Sequence, residues 1–126
     1  MRQARLAEFL AQGEARGEDC LNGLEERFNE LVARLRATGG HAHLAFVNRS
    51  LDGAVYAPLP DSFEEFRREV ERELECGYRL VGVSVSTPSR GVEWLDSKLR
   101  PIPRKPKELV EVERNLKRRA PDSSQS

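Results

Sequence analysis

Long apolar runs are missing from this chain. None approaches the roughly 18 residues of a membrane span, and the first residues, Met1 to Glu8, lack the continuous apolar core of a secretory signal. Cysteine is scarce: Cys20 and Cys76 stand alone, without CxxC spacing, so neither a disulfide framework nor a thiol-rich metal knuckle is expected. These absences predict a cytoplasmic protein with reduced thiols and no membrane contact. No GxGxxG or Walker-type loop is present to cradle a phosphate, and no cofactor is expected. The serines flanking Pro88 do not form a GxSxG elbow. Helix-turn-helix and zinc-finger spacings are also lacking. Aromatic residues are only 6% of the chain, which leaves Trp94 and Tyr78 as the candidate stacking residues for a single-strand binder.

Net charge is missing too, but only by cancellation. Residues Met1 to Ser97 carry 12 Lys/Arg against 17 Asp/Glu, a balance of −5; Lys98 to Arg119 carry nine basic and three acidic side chains, a balance of +6. A fold has no need to sort charge along the chain, whereas a binding surface often does. Arginine outnumbers lysine 17 to 4, which favours planar, bidentate contacts with carboxylate or phosphate. At 126 residues with 38% apolar residues, one compact core is feasible, with several segments lying outside it.

The pattern along the chain predicts an α+β domain in the order ααββαββα. A short helical segment over 1–18 carries Leu6, Phe9 and Leu10, and Gly17 ends it. Asp19 caps a second helix to about Ala37. Its stripe of Leu21, Leu24, Phe28, Leu31 and Leu35 either covers the sheet or pairs with its own copy in a homodimer through residues 19–37. Glu30 and Arg34 have the spacing of a helical ion pair. Strands follow over His41 to Asn48 and Ala54 to Ala57, joined through Asp52-Gly53. Pro58 and Pro60 place the second strand at an edge.

Ser62 and Glu65 form a capping box for a helix with Phe63, Phe66, Val70 and Leu74 on one face, and Gly77 closes it. Tyr78 to Thr87 is the strongest strand, with Val81, Val83 and Val85 on one face and Gly82 open to a close neighbour. Val92 to Leu99 returns as a fourth strand. The expected architecture is one four-stranded, mostly antiparallel sheet, with helices packed on one face or around an edge. The core spans 19–99. A proline-stiffened basic arm and a last helix, Lys107 to Arg119, occupy 100–120, and a disordered tail fills 121–126.

Catalytic signals are thin. His41 and His43 lie two apart on a strand and share a face, as two ligands of one metal ion would, in a metal-dependent hydrolase. Further ligands would have to come from Asp52, Glu93 or Asp96. Cys20 and Cys76 lack a neighbouring base and read as small core residues. The carboxylates sit at salt-bridge spacing on helix faces.

The basic segment is the stronger candidate. Lys98, Arg100, Arg104, Lys105 and Lys107 lie on the proline-stiffened arm, and Arg114, Lys117, Arg118 and Arg119 follow on the helix. Stiffening lowers the ordering cost of binding. The arm can lie on the acidic faces of its own domain, reach an acidic protein, or contact nucleic acid with strong salt dependence. The reading is a small non-catalytic binding protein that regulates or inhibits a macromolecular partner, with a protein as first partner class and nucleic acid as second. Such compact regulators are a habit of phages and mobile elements.

Overall fold

The computed structural model describes residues 17–119, with side chains from residue 23 onward. The 1–18 helical segment (up to residue 16), the Cys20 and Leu21 side chains and the tail over 121–126 lie outside the described residues. The described elements are α1 (Gly17–Thr38), β1 (His41–Asn48), β2 (Ala54–Pro58), α2 (Phe63–Glu75), β3 (Tyr78–Thr87), β4 (Gly91–Leu95), β5 (Pro101–Ile102) and α3 (Lys107–Arg119). Three helices accompany one sheet of five strands in the order β2-β1-β3-β4-β5, with every neighbouring pair antiparallel. The α+β class is as expected, but the sheet has a fifth strand. Residues Pro101 and Ile102, read as arm, return beside Leu95 and Trp94. Proline is tolerated there because β5 is an edge.

Local signals explain the elements. Ser62 Oγ accepts from the Glu65 N–H at 3.2 Å and starts α2. Gly77, at φ +89, ends it in the left-handed region. Helix α1 begins at Gly17, so Asp19 lies inside it instead of capping it. The β1–β2 connection is the five-residue segment 49–53, as the strand bounds predict, with Asp52 and Gly53 at its end. Asn48 Oδ1 accepts from the N–H groups of Asp52 and Gly53, both at 3.0 Å, and Asn48 Nδ2 donates to Asp52 at 2.7 Å.

The larger core joins α1 and α2 to one sheet face. Leu24, Phe28 and Leu31 of α1 and Phe66 and Val70 of α2 pack on Leu44, Phe46, Leu80, Val83, Val85 and Leu95. The α1 stripe is therefore used on its own sheet. Leu24, Phe28 and Leu31 are buried there, which is the sheet-covering role of the two that the stripe allowed. The Glu30–Arg34 expectation also changes: Arg34 reaches across to Glu93 of β4 at 3.0 Å.

A second, smaller core forms on the opposite face, where the sequence placed no helix. Leu109 and Val112 of α3 pack there on Ala45, Val47 and Val81. A β-bulge makes this possible. The register steps from Ala45↔Gly82 to Phe46↔Leu80, leaving Val81 as the extra residue. Val81 therefore joins α3, while Leu80, Val83 and Val85 share the larger core. The expected grouping of Val81 with Val83 and Val85 fails for that reason.

Candidate functional site

The basic segment lies on its own domain. Asp96 organises its start, with Oδ1 accepting from the N–H groups of Lys98 at 2.9 Å and Arg100 at 3.0 Å. The Asp96 N–H donates to the Arg100 carbonyl at 2.8 Å. Arg27 of α1 donates from Nε to the Lys98 carbonyl at 2.8 Å. After β5, Pro106 is buried against Gly82, where a Cβ would stand only 2.7 Å from the proline ring. The far end of α3 closes on the β1–β2 loop. Asn115 Nδ2 donates to the Leu51 carbonyl at 2.7 Å, and Arg119 pairs with Asp52 at 2.9 Å.

The nine candidate cations divide accordingly. Arg100 pairs with Asp96, Lys105 with Glu113, Arg114 with Glu111 and Arg119 with Asp52. The Glu113 hydrogen bond holds the Lys105 ammonium above the usual lysine range, against a smaller opposing effect of burial. Lys98 is half-buried in the Asp96 turn. Arg104, Lys107, Lys117 and Arg118 are exposed, and no acidic partner is seen for them among the described residues. On α3, Lys107, Arg114 and Arg118 recur at spacings that keep them on the solvent side, flanked by Val110 and Lys117. Val110 is 38% exposed. Leu116, expected in the apolar face with Leu109 and Val112, is 47% exposed.

A second surface adjoins the first. Helix α3 covers only part of its sheet face. The uncovered part follows from the register: Pro58, His43, Ser84 and Trp94 form one row, and His41, Ser86 and Val92 the next. Tyr56 stands beside Ala45 on the same face. Lys105 marks the border with α3, its ammonium 5.9 Å from the Trp94 ring centre. None of the strand side chains on this face is a carboxylate.

His41 and His43 share a face, as their spacing predicts. No group of three His, Cys, Asp or Glu side chains able to hold a metal occurs among the described residues. The ligands needed to complete the pair are held elsewhere. Glu93 points to the opposite face and takes Arg34 and Arg90, Asp96 organises a turn, and Asp52 belongs to the hairpin loop. Cys76, read as a core residue, is an exposed free thiol at the end of α2. A cleft of about 310 Å³ passes the end of α1, lined by Val32, Leu35 and Leu59 and also by Arg36, His41, His43 and Asp61. It contains no serine, threonine, cysteine or lysine nucleophile. No described helix is long and apolar enough to cross a membrane.

No family model, curated protein or solved structure matches the chain. Its own geometry must therefore carry the functional reading. Sequence reasoning missed Tyr56 and Val92, which are 49% and 62% exposed. A usable signal existed. Alternation along β2 and β4 sets both on the faces of Pro58 and Trp94. What could not be read was how far α3 would extend over them.

Proposed function

We propose that this chain is a small non-catalytic binding protein that regulates or inhibits a macromolecular partner in the cytoplasm. Its contact is the outer face of α3, and its partner is an acidic protein surface. One observation carries the reading. Lys105, Arg114 and Arg119 are matched by acids of the domain, yet Arg104, Lys107, Lys117 and Arg118 are left exposed beside them. Exposed like charges contribute little to folding and repel one another. Opposite an acidic surface they raise the association rate and select the partner. Val110 and Leu116 add apolar contact on the same helix, the kind of anchor that supplies affinity once water is excluded.

The test is a triple charge reversal, Lys107→Glu with Lys117→Glu and Arg118→Glu. Each site is solvent-facing, so the thermal midpoint should stay within a few degrees of wild type. Affinity capture from native lysate, followed by mass spectrometry, should lose a partner that wild type retains at low salt and releases at high salt. An identical set of captured proteins for both forms would refute the reading.

A further inference from the structure

We propose that the uncovered half of the sheet, beside α3, binds single-stranded nucleic acid, with Tyr56 as the stacking residue. This goes beyond the α3 reading, since it adds the open sheet face and another partner class and shares only Arg104 and Lys107 with it. Four large apolar or aromatic side chains stand exposed in the described chain: Tyr56, Val92, Val110 and Leu116. The first two belong to this half-face. They flank a floor of Ser84 and Ser86 with His41 and His43 beside them. Small hydroxyl residues keep that floor shallow and supply donors and acceptors, while imidazole and phenol rings offer stacking surfaces to unpaired bases.

The charge pattern selects the occupant. The chain carries 21 Asp and Glu residues, yet none lies on the strands of this face. Lys105 stands at the border, its ammonium 5.9 Å from the Trp94 ring centre and paired with Glu113 of α3, so the exposed cations there with no acid partner seen among the described residues are its neighbours. Arg104 and Lys107 are its exposed neighbours in sequence. An anionic backbone running along that border would place its bases on the open strands. A second copy fits less well, because a two-fold stack of this face would set its basic border and imidazoles against their own kind. A duplex is excluded by shape, since a flat strand surface cannot enter either groove to reach paired bases.

The probe is a fluorescein-labelled single-stranded oligouridylate or oligothymidylate of about 12 nucleotides, compared with a duplex of equal length. Two readouts are available: probe anisotropy, and emission from Trp94, the only tryptophan in the chain. We expect micromolar binding of single strands over duplex, with quenching of Trp94. A logarithmic salt slope of about −2 would correspond to roughly three phosphate contacts. Tyr56→Ala should weaken binding about tenfold or more. Val92→Glu, which places a carboxylate on the face at an exposed site, should abolish it while both variants keep the wild-type melting curve. Absence of single-strand binding would overturn the proposal. So would unchanged binding by Tyr56→Ala and Val92→Glu, or loss only in the α3 charge-reversal variant. Concentration-dependent dimerisation that Tyr56→Ala abolishes would also overturn it, by identifying a second copy as the occupant.

Discussion

Phe28→Ala is expected to remove about 3–5 kcal/mol of stability, a large part of what a domain of this size possesses. Phe28 is fully buried at the junction of α1, α2 and the sheet. Its ring lies 5.8 Å from that of Phe63 and 5.4 Å from that of Phe66, in edge and tilted arrangements. Truncation removes dispersion contacts with both rings and leaves a cavity among elements that are fixed by other contacts. Denaturant titration should show a much lower midpoint with an unchanged slope. Phe63→Ala is the internal comparison. Phe63 is only half-buried, so its loss should be clearly smaller. Equal losses at the two positions would mean that Phe28 is not the centre of the cluster.

Gly82→Ala should cost about 1–3 kcal/mol by overpacking, and it should act on the C-terminal segment first. An added Cβ would lie 2.7 Å from Pro106 Cγ and 3.0 Å from the Leu95 carbonyl oxygen. The proline ring can retreat, but the carbonyl belongs to β4 and cannot move without disturbing the sheet. A double-mutant cycle with Pro106→Ala separates these contacts. The second substitution should recover part of the loss, leaving the part due to Leu95. Trp94 emission should shift as well, because Lys105, next to Pro106, sits over its ring. A Gly82→Ala protein as stable as wild type would show that Pro106 is not seated on this strand.

Helix α2 was legible almost completely, because Ser62, the Phe63-Phe66-Val70-Leu74 spacing and Gly77 all encode local geometry. The strands His41–Asn48 and Tyr78–Thr87 were legible as elements for the same reason. Pairing across the sheet was not. β5 exists because Ile102 finds Trp94 and Pro101 finds Leu95, partners set by the intervening Asp96 turn and not by any propensity of Pro-Ile. The basic segment was legible as composition, but its state was not. Whether Lys105 reaches solvent or Glu113 depends on where α3 lands. The same dependence hid Tyr56, whose exposure is decided by the extent of another element.

The extra residue in β3 gives that strand a spare position. Without Val81, Ala45 would still face Gly82 and Phe46 would still face Leu80, so simple alternation would keep Leu80, Val83 and Val85 in the larger core. Arg79 would stay beside Glu108 of α3, which it faces at 4.0 Å. What a deletion of Val81 removes is one buried side chain beneath α3 and the local bend of the bulge. Losing Leu80 instead would let Val81 take the place opposite Phe46, again with Arg79 on its own side. One removal here leaves inside and outside in phase, whereas removal of Ser84, where the pairing holds no extra residue, would exchange the two faces on one side of the cut.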